Sequence, residues 1–126
     1  MKIILLIEDN PDIRENTCEL LELDGYQVIT ADSGEAGLRL AREKLPGLII
    51  CDIVMRGMDG YGVLKEIRRQ KETASIPVIF LTASPKPKED ESGLTLGFTA
   101  FIRKPFSEED LLESISSCLQ EDQGLK

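Results

Sequence analysis

Glu8, Asp9, Asp52, Thr82 and Lys104 are the residues of this sequence that can do chemistry in concert. Three carboxylates gathered in one place are costly, since two unit charges about 4 Å apart repel by roughly 4 kcal/mol at an effective dielectric near 20. A positive partner is therefore required. With oxygen ligands only, no histidine and no clustered thiols, the natural occupant is a hard divalent cation, magnesium or manganese, completing its shell with water. Lys104 supplies a second positive group. A metal, a lysine and a threonine hydroxyl around one carboxylate make a site for a transferring phosphoryl group, with Asp52 as the in-line nucleophile. Taken singly, each residue also has a plain structural use: Glu8-Asp9 as a helix cap, Asp52 as a strand end, Lys104 as surface charge. Where the elements place them decides between the two readings.

Apolar runs of strand length alternate with segments of helical period, the mark of repeated strand-helix units around a parallel sheet. Strands are expected at 2–7, 26–30, 48–52, 77–82 and 99–103, each short, rich in Ile, Val, Leu and Phe, and bounded by turn residues. Asn10-Pro11 reads as an N-cap followed by proline at the first helical position; Ile13, Thr17 and Leu20 then share a face, and Gly25 ends this first helix. Ser33 opens a second helix with Ala36, Leu40 and Ala41 toward the sheet, stopped by Leu45-Pro46-Gly47. The third runs from residue 60 to 70 with Val63, Leu64 and Ile67 inward. A fourth, at 86–96, is charged, begins near Pro85 and Pro87 and has few apolar anchors, so it is expected to be mobile. Ser107 with Glu108, Glu109 and Asp110 starts a fifth, which buries Leu111, Ile115 and Cys118.

In open parallel sheets ligands bind beyond the carboxyl ends of the strands, where the strand order reverses. Strand one exits into Glu8-Asp9, strand three ends at Asp52, strand four at Thr82, and strand five runs into Lys104-Pro105. Capping does not explain complementary groups at four of five exits, which favours a phosphoryl-transfer site.

The 126 residues, 41% hydrophobic, suffice for one core and not for two ordinary domains, giving a single domain at 1–120 and a polar tail at 121–126. The sequence offers no apolar run of bilayer length, and Glu8-Asp9 interrupts the opening apolar run before a signal peptide would end, so a cytoplasmic protein is expected. Cys18, Cys51 and Cys118 are odd in number and widely spaced, and read as reduced thiols. A net charge of -8 repels a phosphate backbone and argues against direct nucleic-acid binding. The absence of histidine excludes histidine triads and a histidine phosphocarrier role, so any histidine in the reaction belongs to a partner.

From residue 3 to 119 the chain resembles the receiver domains of two-component response regulators. Glu8-Asp9 is similar to the family's acidic pair, 52–60 to its phosphoacceptor loop, Thr82-Ala83 to its signalling hydroxyl, and Lys104-Pro105-Phe106 to its lysine motif. The resemblance implies a flavodoxin-like, doubly wound five-stranded parallel sheet of order 2-1-3-4-5 with five helices. It implies that Asp9, Asp52 and the backbone carbonyl of Val54 ligate magnesium, with Glu8 acting through water. Thr82 and the Ala83 amide would bind phosphoryl oxygens, Lys104 would pair with one of them, and the Lys104-Pro105 bond would be cis. Thr82 and Phe101 would be the switch, Phe101 turning inward on activation, although plain core packing serves a phenylalanine equally well. The implied partners are a sensor histidine kinase or histidine phosphotransfer protein, docking near Arg14, Glu15 and Cys18, and a downstream effector. The output face would comprise helix four, strand five and helix five, and a phosphorylation-dependent homodimer is one form the output could take. Such a chain is a signalling phosphoacceptor and not an enzyme acting on an external substrate.

Two positions depart from the pattern: Arg56 stands where the family usually has proline, and Val54 offers no polar side chain to orient a water against an acyl phosphate, so slow self-dephosphorylation is expected. Ser84 is small and would leave the site open to a partner phosphatase. An aspartyl phosphatase would need a second aspartate where Val54 stands. A flavin carrier would need a neutral, hydroxyl-rich loop where Glu8-Asp9 stand. A phosphorylation-independent interaction module remains the alternative.

Overall fold

The computed structural model describes residues 3–82 and 100–124. Five strands, β1 (Ile3–Ile7), β2 (Gln27–Ala31), β3 (Leu48–Asp52), β4 (Val78–Thr82) and β5 (Ala100–Arg103), form one parallel sheet of order β2-β1-β3-β4-β5. Four helices are described: α1 (Pro11–Leu23), α2 (Gly34–Lys44), α3 (Gly60–Arg69) and α4 (Glu108–Gly124). The helix expected at 86–96 lies outside the described residues, so α4 is the fifth helix of the sequence reading.

Alternation along the strands divides the core in two. Leu5, Ile7, Ile49, Cys51, Val78 and Phe80 pack on one face with Leu38 and Ala41 of α2 and Val63, Leu64 and Ile67 of α3. Ile4, Leu6, Leu48, Ile50, Ile79 and Leu81 pack on the other with Leu21 of α1 and Leu111, Ile115 and Cys118 of α4. Helices on both faces are what a sheet apolar on both sides requires.

The helix ends follow their local chemistry. Asn10 accepts from the amides of Asp12 and Ile13, Ser33 from Ala36 and Asp59 from Gly62. Gly25, at φ 97°, takes the left-handed conformation just past α1, where a side chain would be strained.

Two helix faces bury residues beyond those expected. On α1 the buried pair is Thr17 and Leu21, while Ile13 and Leu20 are half-buried. Leu21 is fully buried in the sheet core with Leu20 packed against it, and Ile13 and Leu20 also line a groove beside Lys104, Pro105 and Phe106. On α2 the buried residues are Gly34, Gly37, Leu38 and Ala41, with Ala36 and Leu40 half-buried. Leu38 and Ala41 enter the core with Ala36 and Leu40 packed against it, and Gly37 brings the helix close: a Cβ there would fall 2.4 Å from Ile7 Cδ1. Hydrophobic spacing cannot register a contact made without a side chain. Strand bounds move by one residue at β2 and β4, and the starts expected for β1 and β5, at residues 2 and 99, lie outside the described residues.

Candidate functional site

The sheet order reverses between β1 and β3, and the carboxyl ends of these two strands bring the acidic residues together. One ligand oxygen each from Glu8, Asp9 and Asp52 lie within 4.8 Å of one another. Glu8 is 1% exposed and Asp52 7%, so neither charge is well solvated. Lys104, just beyond β5, donates from Nζ to Asp52 Oδ2 at 3.1 Å and to Glu8 Oε1 at 3.3 Å. The following Lys104-Pro105 bond is cis.

Backbone groups fix the loops. The Val54 amide donates to Asp52 Oδ1 at 3.3 Å, and the Asn10 amide to Glu8 Oε2 at 3.3 Å. The guanidinium of Arg14 reaches back from the first turn of α1 to the Glu8 carbonyl at 2.9 Å. Gly60 lets α3 start against the strand end, where a Cβ would stand 2.6 Å from the Asp52 carbonyl oxygen. A bulkier residue there would push directly on the Asp52 backbone.

The electrostatics of the cluster follow from its burial and its charges. Burial first, and then the neighbouring Asp52 carboxylate, hold Glu8 above its usual carboxylate range, while Lys104 acts in the other direction. For Lys104, burial favours loss of its proton, but the Asp52 and Glu8 carboxylates outweigh it and leave the ammonium above its ordinary value. One ammonium thus pairs with two nearly buried carboxylates, and burial together with Asp52 pushes Glu8 toward its protonated form. An all-oxygen donor set with surplus negative charge fits a hard divalent cation such as magnesium.

The sequence model of the response regulator receiver domain matches residues 4–116. The chain belongs to that family. The receiver domain is 34% identical over 119 residues to protein PilH of Pseudomonas aeruginosa, covering 94% of this chain and 98% of PilH. Other relatives are longer, and the chain spans 45 to 51% of their length. Among solved structures it is similar to the chemotaxis protein CheY4 of Vibrio cholerae, with a TM-score of 0.88, 31% identity, and 94% of this chain and 99% of that one covered. It is also similar to the response regulator TrrA of Thermotoga maritima, solved in complex with Mg(2+)-BeF, with a TM-score of 0.85, 34% identity, and 94% and 100% covered. Receiver domains are a family of signalling phosphoacceptors in two-component systems.

Of the residues singled out from sequence, the receiver brings together Glu8, Asp9, Asp52 and Lys104. Thr82 ends β4, in register with Arg103. Its side chain, Ala83 and Ser84 lie outside what the structure describes. Phe101 pairs in register with Phe80 and is 37% exposed. Sequence reasoning did not assign Arg14 or Arg56 to the site. The Arg56 amide donates to Asp9 Oδ2 at 3.1 Å. The only advance signal was that a non-proline at this position carries an N–H at all.

Proposed function

We propose that this receiver accepts a phosphoryl group on Asp52 from the phosphohistidine of a sensor kinase or a histidine phosphotransfer protein, with magnesium bound. The observation carrying this reading is the nearly buried Asp52 carboxylate, held between Lys104 at 3.1 Å and the carboxylates of Glu8 and Asp9. In this reading Asp9, Asp52 and the Val54 carbonyl hold the magnesium directly, and Glu8 holds it through water. Bound magnesium would offset the negative charge of the transferring oxygens and of the carboxylates.

The rest falls to the chain's own groups. An Asp52 oxygen attacks phosphorus, the P–N bond to the partner's imidazole breaks with its electron pair passing to nitrogen, and an acyl phosphate forms. Lys104, already within hydrogen-bonding distance of Asp52, pairs with a phosphoryl oxygen; the Thr82 hydroxyl and Ala83 amide take others. Phe101, exposed at the edge strand, turns inward as Thr82 is drawn to the phosphate. The output face then includes β5 and α4, where an effector or a second copy docks; the helix expected at 86–96 as its third part lies outside the described residues. The kinase docks on α1, where Arg14, Glu15 and Cys18 line a common cleft of about 340 Å³. Among the described residues no helix is long and apolar enough to cross a membrane. A cytoplasmic location fits a receiver that meets a kinase there.

The test is to weigh the intact chain after incubation with magnesium and acetyl phosphate, beside a sample with chelator. The expected result is a gain of one phosphoryl group with magnesium and none with chelator. No gain in either sample, with magnesium binding shown by titration, would instead favour a phosphorylation-independent interaction module.

Val54 is 70% exposed beside Asp52 and carries no group that can orient an attacking water. The phosphorylated protein is therefore expected to lose its phosphate slowly, and Val54→Asn to lose it several-fold faster when followed by intact mass after donor removal. An unchanged rate in that variant would show that residue 54 does not govern hydrolysis.

A further inference from the structure

Arg56 holds a place no motif assigns it. Its backbone N–H donates to Asp9 Oδ2 at 3.1 Å, a bond proline cannot make, and its Nε lies 3.7 Å from the same oxygen. The Arg56 side chain is 91% exposed against 20% for Asp9, so the guanidinium stands at the solvent mouth of the acidic cluster. The amide bond anchors the base of that side chain beside Asp9, which keeps the charge local to the site. Lys104 approaches Asp52 and Glu8 but makes no ion pair with Asp9 among the described residues, so Arg56 is the cation that Asp9 meets.

We propose that Arg56 is a positioning residue that sets the charge balance at the mouth of the site, opposing the divalent cation and favouring the anionic phosphoryl donor. This rests on the magnesium and phosphoacceptor reading above. A cation arriving at Asp9 meets the positive guanidinium and must displace it or share the carboxylate. A phosphoryl donor arriving at Asp52 brings negative charge to the same mouth and is attracted. The two ligands carry opposite charge, so removing the guanidinium shifts their affinities in opposite directions. At this exposure each effect is modest, roughly twofold to fivefold, and is screened by salt.

The test compares the whole chain with Arg56→Gln and Arg56→Lys, using calorimetric magnesium titration and acetyl phosphate-driven uptake followed by intact mass, at low and high salt. Arg56→Gln is expected to bind magnesium about threefold tighter while its half-saturating acetyl phosphate concentration rises about threefold, with both differences fading at high salt. Arg56→Lys, which keeps the charge, is expected to restore both values. Damage to packing would weaken both ligands together, so parallel shifts would overturn the proposal, as would no shift or one undiminished by salt. Absence of magnesium binding in the wild type would overturn the metal reading and this inference with it. Normal binding in the wild type with no change in Arg56→Gln would overturn the inference alone.

Discussion

Replacing Asp52 with asparagine is expected to lower phosphoryl uptake by at least about a thousandfold while leaving a folded protein. The substitution keeps the size of the side chain and removes the anionic oxygen on which the transfer depends, because a neutral amide oxygen is a poor nucleophile. It also removes one carboxylate from the acidic cluster, so cation affinity falls with the nucleophile. The fold should survive, since Lys104 retains its contact with Glu8 at 3.3 Å and is not left as a lone half-buried charge. Uptake followed by intact mass, with a thermal melt to show folding, checks both halves. Unchanged uptake in a folded Asp52→Asn protein would move the acceptor to another residue.

The second large effect is on stability. Phe80→Ala is expected to cost about 4 kcal/mol, within the usual range for truncating a fully buried phenylalanine. Phe80 is 0% exposed in the middle of β4, in register with Cys51 of β3 and Phe101 of β5. Its ring meets Tyr61 of α3 edge-on, with centroids 5.4 Å apart and planes at 73°. Truncation would open a cavity between the sheet and α3, the helix whose start rests against the Asp52 backbone. Urea unfolding should show a lower midpoint at an unchanged slope. A loss below about 1 kcal/mol would mean that this face of the sheet collapses readily around the gap.

Much of the site was legible in the sequence because its signals are local and mutually consistent. Apolar runs ending in Glu8-Asp9, Asp52, Thr82 and Lys104 place polar groups at strand exits, and a parallel sheet sends all exits to one edge. Asn10, Ser33 and Asp59 cap helices by side-chain chemistry confined to three residues, which a sequence displays directly. What was not legible depends on backbone. The close seat of α2 on the sheet depends on Gly37 lying bare against Ile7, and the tie from Arg56 to Asp9 runs through an amide every non-proline residue possesses. The resemblance placed Arg14 on a docking surface of α1, but its reach to the Glu8 carbonyl depends on how the β1–α1 turn folds. The 37% exposure of Phe101 depends on tertiary packing, which residue type alone does not display.

Phosphoryl transfer to Asp52 can be read at the residue itself. Borohydride reduces an aspartyl phosphate to homoserine, so protein treated with magnesium and acetyl phosphate, then reduced and digested, carries a permanent mark at the acceptor. Peptide mass spectrometry is expected to find homoserine at position 52 in the magnesium sample and none in the chelated one. Homoserine at another aspartate, such as Asp9 or Asp59, or at no position despite bound magnesium, would contradict the account.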